Sequence, residues 1–465
     1  MAKVFVFCVG GTGIRVMKSI AFLASAGMKT GKYQIVPIIV DPHISLAEKT
    51  LVDNIVADYG RIYTNLTSNG VNRLDSFDGF FNTEIVSLAQ LDGQNNGTAE
   101  NQAEQRSFGE YINVANLNDS DINNCLVKTL FSEANLKNSL SVGFKGNPNV
   151  GTVVLNEMVT NSGWYSSFKR NFNDGDRVFI ISSIFGGTGA SGYPLIEKNV
   201  RDAQDSPNLR NCIMGAVTVL PYYQLDDPAN SGSDIDSSNF YTKTKAALSY
   251  YEKSVKSDYL YYVGEQNLRA TYNNNEAVQN DKANFIELIA ATALFDFLER
   301  SKPDSPQAMS RAIHEDKDAL DADSLGAGYS EMVKKVANML LLNRLIKELK
   351  NDRQIPLRVN WKINDAFYED SPFRSLENFT DQFASWYNEL STNHRSFSPF
   401  NLVDNKGDFS TMIKGKSLDC KDITYLLLSV IEESNSVSKK HENLFRYYLE
   451  FLQKAINKYT DKITL

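Results

Sequence analysis

Apolar residues fall into two rhythms along this chain, and the rhythm changes past its middle. Short unbroken apolar runs over residues 4–9, 35–40, 177–183, 213–220 and 259–263 predict buried strands. Between them, apolar positions at helical spacing predict helices over 14–26, near 152–168, from about 191, over 243–255 and over 283–300. Strands alternating with helices predict an α/β fold built on a Rossmann-like parallel sheet. After residue 301 the strand signals fade. Residues 331–350, 376–390, 422–433 and 442–457 carry apolar positions at helical spacing, so a mainly helical C-terminal domain is expected over 301–465. Residues 43–142 show neither rhythm clearly and are treated as an insertion into a first domain spanning 1–300. The polar stretch 92–105 within them is predicted to be a mobile loop. The leucine runs at 340–342 and 426–428 are read as core-facing or as a partner-binding surface. Phe445, Tyr448, Leu449, Leu452 and Ile456 share a face that could also dock on a neighbouring subunit.

Composition narrows the function classes. At 465 residues, with 42% hydrophobic and 22% charged residues, the chain is ordinary globular material of two or three compact units. A formal net charge of −8 argues against a surface that grips nucleic acid directly. No run approaches the roughly 20 apolar residues needed to span a bilayer. Cys8, Cys125, Cys212 and Cys420 are far apart and read as free thiols of a reducing compartment, so a cytoplasmic protein is expected. His43, His314, His394 and His441 are equally scattered, and no metal site is expected.

The chemistry gathers at glycine. Gly10-Gly11-Thr12-Gly13 follows the first strand, and Gly186-Gly187-Thr188-Gly189 follows the strand at 177–183. A glycine turn between strand and helix lets backbone N–H groups approach a phosphate closely, and the helix N-terminus adds favourable partial charge. The P-loop pattern GxxxxGK[ST] is absent. The dinucleotide fingerprint also fails, because the first turn lacks GxGxxG and Asp41 lies beyond the expected spacing of roughly 20 residues. No Ser-His or Cys-His arrangement points to covalent catalysis.

The second turn carries a family resemblance. Ile184-Phe185-Gly186-Gly187-Thr188-Gly189-Ala190-Ser191-Gly192 resembles the GGGTG[ST]G signature of the tubulin/FtsZ superfamily. The segment at 5–13 resembles that family's first nucleotide loop, and Val40-Asp41 resembles the short acidic segment after its second strand. Residues 143–151, with Gly143, Gly146, Asn147 and Pro148, are similar to the family's glycine loop followed by Asn-Pro. Residues 216–222 resemble its strand ending before Pro, and 259–268 its strand before the base-contacting loop. The resemblance covers about residues 3–300 apart from the insertion, and identifies the chain as similar to a divergent prokaryotic tubulin/FtsZ relative.

The resemblance implies that Gly10, Gly11, Thr12, Gly13, Gly143, Gly146, Asn147, Gly186, Gly187, Thr188, Gly189 and Ala190 cradle the phosphates of GTP or GDP. Asp41 and Glu265 are implied contacts, Glu265 standing where the family has a guanine-contacting Asn. A slip of register would substitute Gln266 or Asn267. Asn284 is read either as a contact to the base edge or as a helix N-cap, and Thr188 as a phosphate ligand or a self-bonded turn residue. The acidic loop with Asp226, Asp227, Asp234 and Asp236 meets the ribose or is a solvated turn. Magnesium is implied by the triphosphate. Two departures stand out: Phe185 replaces the first signature glycine, and the family's acidic segment after its central helix is missing. Asp304 is the candidate acid, acting on a neighbouring subunit's nucleotide, with Glu315-Asp316 further on. Two functions are therefore expected: a self-associating GTPase forming an oligomer or filament, or a nucleotide-responsive module that neither polymerises nor hydrolyses appreciably. The latter would engage a protein partner through the insertion or the helical region.

Overall fold

The computed structural model describes residues 1–42, 47–68, 79–93, 106–118, 120–140, 143–144, 146–160, 162–225, 240–265, 270–272, 274–275, 278–279, 282–313, 319–320, 329–352, 354–357, 362–393, 396–400, 423–436 and 443–461. Its centre is a six-stranded sheet of β1 (Ala2–Val9), β2 (Tyr33–Val40), β3 (Arg177–Ser183), β4 (Met214–Val219), β5 (Tyr259–Glu265) and β6 (Gln307–Ile313). Every pairing is parallel, in the order β6-β5-β4-β3-β1-β2. β3 and β4 are buried at every position. That is why these strands read as apolar runs rather than as alternating patterns.

Helices cover both faces. Alternate strand residues point to opposite sides: Phe5 and Phe7 each set an edge against Phe168, with ring centroids 5.0 Å apart. Phe168 belongs to α4 (Gly163–Asn171), and α5 (Gly187–Arg201) lies on β3 and β1 beside α3 (Pro148–Thr160). Phe179 pairs in register with Val6 and meets Phe297 of α7 (Phe285–Glu299) at 5.2 Å. α7 lies beside α1 (Gly10–Ser25), and α6 (Phe240–Ser254) touches α5.

The C-terminal region is mainly helical, as expected. Its principal helices are α8 (Ser330–Asn351), α9 (Ser371–Thr392), α10 (Ile423–Ser436) and α11 (Leu444–Thr460). It packs on the α1 side through Phe22, which meets Phe379, Phe383 and Trp386 of α9 at 5.5, 5.3 and 5.1 Å. The leucines at 340–342 and the apolar face at 445–456 are buried in this layer. Tyr425 and Leu428 remain exposed.

Several boundaries differ from expectation. α1 begins at Gly10 and α5 at Gly187, each taking its glycine turn into the helix. The single helix expected near 152–168 is two helices, the second capped by Ser162, whose hydroxyl accepts from Tyr165 N at 3.3 Å. The sheet also continues past residue 300. β6, Gln-Ala-Met-Ser-Arg-Ala-Ile, is an edge strand without an apolar run, so the boundary expected at 300 falls between α7 and the strand that completes the sheet. The segment treated as an insertion contributes α2 (Ala47–Thr67), whose Val52, Ile55, Tyr59, Ile62 and Leu66 enter the core against α1 and α9. Among the described residues, no helix is long and apolar enough to cross a membrane.

Asp92, at the start of the stretch expected to be mobile, is held in place; 94–105 lie outside the described residues. Its carboxylate accepts from Ser167 Oγ at 2.5 Å, Arg170 Nη2 at 2.7 Å and Asn171 Nδ2 at 2.8 Å. These donors, Ser167 foremost and then Arg170, hold its pKa down at about 2. A depressed folded-state pKa gives stability that is present above the unfolded value of about 3.9 and lost as pH falls toward 2. Asp92→Asn is expected to lower unfolding stability by about 1 kcal/mol at pH 7. In urea melts the difference from wild type should shrink at pH 3; an equal difference at both values would contradict this account.

Candidate functional site

The strand order reverses between β1 and β3: β2 lies to one side of β1, while β3 and all later strands lie to the other. In open parallel sheets the crevice beyond the carboxyl ends of the strands at such a point is where ligands bind. Here α1 leaves β1 directly at Gly10, and α5 follows β3 after a three-residue turn. Both helix N-termini therefore meet at that crevice.

Neither is capped. Val9 precedes α1 and Gly186 precedes α5 without a side-chain cap, and neither first turn holds an acidic residue. Elsewhere α4, α7, α9 and α11 are capped by Ser162, Asn284, Asp370 and Asn443, while α8 starts after Tyr329 without a side-chain cap but has Glu331 in its first turn. The first N–H groups of a helix need an acceptor, and the helix dipole favours a negative one. Gly11, Thr12, Gly186 and Thr188 are half-buried, whereas Gly10, Gly13, Gly187 and Gly189 are buried.

Glycine is required by close approach. A Cβ on Gly189 would stand 2.7 Å from the Ser183 nitrogen and closer still to its carbonyl oxygen. One on Gly13 would stand 2.7 Å from the Cys8 carbonyl carbon and 2.9 Å from the Ile181 oxygen. Gly10, at φ +74°, has its absent Cβ 3.3 Å from Thr188 Cβ, so the two Gly-Gly-Thr-Gly segments touch. The third loop joins them: a Cβ on Gly187 would lie 3.0 Å from Asn147 N and 3.1 Å from Gly146 N. Gly143 and Gly146 both have positive φ, 83° and 74°. The three predicted glycine segments are thus one cluster. Ser191 takes no part at its mouth, because its hydroxyl donates to the Gly187 carbonyl at 2.7 Å.

The remaining predicted residues are distributed around this cluster. Asp41, half-buried, follows β2, and buried Glu265 ends β5, both at the carboxyl edge of the sheet. Asn284 caps α7: its side chain accepts from Ile286 N at 2.9 Å, and Glu287 Oε2 accepts from Asn284 N at 3.0 Å. Of the two readings of Asn284, the N-cap is the one its contacts display. Ala190 is buried in the first turn of α5. Asp304 is exposed just before β6, at the amino edge of the sheet, opposite the glycine cluster. The loop with Asp226, Asp227, Asp234 and Asp236, together with Gln266, Asn267, Glu315 and Asp316, lies outside the described residues.

Sequence reading missed three features. Arg15, one turn into α1, is buried and donates to Glu287 Oε1 at 2.6 Å, Glu48 Oε1 at 3.2 Å and the Lys282 carbonyl at 2.7 Å. Lys18 also binds Glu48, at 3.2 Å, and the Tyr222 hydroxyl donates to Glu287 at 2.9 Å. Two cations and two carboxylates balance in the core beside the site, fixing α1 to α2 and α7. Second, Phe185 is a buried aromatic hub, its centroid 4.8 Å from Phe240, 5.5 Å from Tyr223 and 6.1 Å from Tyr222. It seats α6 beside the glycine cluster. Third, Lys243 of α6 donates to the Gly146 carbonyl at 2.8 Å. A lysine in a helix's first turn opposes the helix dipole, the one local signal that sets it apart.

The fold is similar to that of CetZ proteins. One such structure is CetZ2 from Haloferax volcanii, described as a GTPgS-bound protofilament, at 12% identity and a TM-score of 0.32, covering 64% of this chain and 58% of that one. Another is CetZ from Methanosaeta thermophila, at 14% identity and a TM-score of 0.33, covering 66% of this chain and 57% of that one. The chain thus spans a little over half the length of these two proteins. No protein-family model and no curated protein matches it.

Two stability outcomes follow from this geometry. Gly189→Ala should destabilise the protein by about 1–3 kcal/mol, whereas Gly60→Ala, within α2 with nothing inside 4 Å of the added methyl, should stabilise it by about 0.5–1 kcal/mol. Arg15→Met strands Glu287 in the core and should cost about 3–5 kcal/mol. Thermal melts of the three variants check both, and a neutral Arg15→Met would contradict the balanced network.

Proposed function

We propose that this chain is a nucleotide-binding protein of the tubulin/FtsZ kind that takes the phosphates of GTP or GDP at the glycine cluster. The observation that carries the reading is the meeting of two uncapped helix N-termini with a third glycine loop at the switch point of the sheet. The resemblance of 184–192 to the family's signature selects GTP among the phosphate ligands such a cradle would accept. Gly11, Thr12, Gly13, Gly187, Thr188 and Gly189 would supply backbone N–H groups, with the hydroxyls of Thr12 and Thr188 at the half-open mouth. Among the described residues, no group of three His, Cys, Asp or Glu side chains is placed to hold a metal ion.

Hydrolysis, in this reading, depends on assembly. Asp304 stands at the edge of the sheet opposite its own glycine cluster, so it could serve only the nucleotide of another subunit stacked head to tail. Such a heterologous contact repeats into an open filament. The second reading is a cytoplasmic nucleotide-responsive module without filaments or turnover. The exposed apolar stripe Ile122, Leu126 and Leu130 favours it, as a surface for a protein partner.

Binding of GTP, ATP and NAD to wild type and to Thr188→Ala and Gly187→Ala proteins, with phosphate release and sedimentation followed in parallel, tests this. GTP binding lowered at least about tenfold by either substitution, a change of about 1.4 kcal/mol, is expected. Nucleotide-dependent pelleting with turnover supports the filament, and binding by a persistently small species without turnover supports the module. Failure to bind any of the three would remove the phosphate-cradle assignment.

A further inference from the structure

We propose that Tyr251 is a positioning residue of the phosphate cradle. Its hydroxyl supplies the donor that Pro194 takes from the Ala190 carbonyl, and so holds the first turn of α5 in the orientation that phosphate binding needs. This rests on the nucleotide reading above and names the contact from α6 on which the geometry of that turn depends.

Pro194 lies inside α5. Proline has no N–H, and its ring crowds the carbonyl four residues back, which here belongs to Ala190. Ala190 closes the first turn of the helix, its own N–H donating to the Gly186 carbonyl at 3.1 Å. Within that turn the Gly187 and Thr188 carbonyls each take a bond from the Ser191 hydroxyl, at 2.7 and 3.2 Å. The buried Ala190 carbonyl takes its bond from another helix: the Tyr251 hydroxyl of α6 donates to it at 3.4 Å. Left without that donor, a buried carbonyl loses its water and gains nothing in exchange.

The donor is itself held firmly. The buried ring of Tyr251 stands edge-on to that of Tyr193, with centroids 5.2 Å apart, and the Tyr193 hydroxyl is 3.0 Å from Ser257 Oγ. About three helical turns earlier on the same face of α6, Phe240 meets Phe185 at 4.8 Å, so α6 grips α5 on both sides of its first turn. Burial pushes the Tyr251 phenol well above its ordinary pKa, which keeps it protonated and donating. The Ser183 backbone limits how closely the turn approaches β3 at Gly189, and the Tyr251 hydroxyl ties the same turn to α6. Hydrogen bonds weaken steeply with misalignment, so the N–H groups of Gly187, Thr188 and Gly189 hold a phosphate only as well as this turn is oriented. Thr244, also buried on α6, provides the contrast: its hydroxyl has no hydrogen-bond partner among the described residues.

Calorimetric titration of the full chain with GTP, well below the melting temperature of every variant, separates positioning from mere packing, which would move the melting temperature and not the affinity. Tyr251→Phe keeps the ring against Tyr193 and removes only the donor; it is expected to weaken GTP about fivefold. Thr244→Val is expected to leave binding unchanged. Pro194→Ala returns a backbone donor to Ala190 and should make the tyrosine hydroxyl dispensable, so Pro194→Ala/Tyr251→Phe should bind GTP within about twofold of Pro194→Ala. Should Tyr251→Phe fail to fold alone, that pair carries the test; should Pro194→Ala fail, the difference between Tyr251→Phe and Thr244→Val does. Wild-type affinity in Tyr251→Phe, an equal loss in Thr244→Val, or a loss that persists beside Pro194→Ala would overturn the proposal while leaving the nucleotide reading intact. Absence of binding by the wild-type protein would remove both.

Discussion

The Ser183 backbone leaves no room for a side chain at position 189, and from that steric fact much of the site follows. Because Gly189 and Gly13 have no Cβ, α5 and α1 can begin directly over the ends of β3 and β1. Their N-termini then converge where the strand order reverses. Larger residues at either position would push a helix away from the sheet and open the crevice into an ordinary loop. The lack of caps on both helices belongs to the same arrangement, since a capping side chain would occupy the space that their N–H groups face.

Around this cradle the chain has built rigidity from interactions of different kinds. Arg15 and Lys18 with Glu48 and Glu287 tie α1 to α2 and α7, and the Tyr222 hydroxyl extends the network to the loop after β4. Phe185, in the turn between β3 and α5, is an aromatic anchor that reaches Tyr222, Tyr223 and Phe240. The helical C-terminal layer meets α1 through Phe22 and the rings of α9. α1 is thus held at one end by the site and along its flank by the C-terminal layer.

The parts that were legible in the sequence were those with local signals. Four of the six strands announced themselves as apolar runs buried on both faces, and β5 did so over most of its length. The glycine turns were visible because their spacing after a strand has few other uses. Asn284 and Glu287 carry the spacing of a capping box, and they form one. The starts of α1 and α5 were placed four residues late because glycine is a poor helix former and hides a helix's first turn. β6 was missed because an edge strand needs no apolar run, and α2 because its core face is interrupted by polar residues on a helix read as part of an insertion. Arg15 with Glu287, 272 residues apart, left no local trace, and Lys243 with Gly146, 97 apart, left only a lysine in a helix's first turn. Only the fold brings them together.

Glycine amides report on the cradle directly. In a spectrum of the protein labelled with nitrogen-15 at glycine alone, titration with GTP should move the resonances of Gly11, Gly13, Gly187 and Gly189 and leave those of Gly60 and Gly163 in place. A cradle that binds phosphate through these N–H groups predicts that pattern. Resonances at positions 10–13 and 186–189 that stay fixed while GTP saturates the protein would place the nucleotide elsewhere and contradict the account.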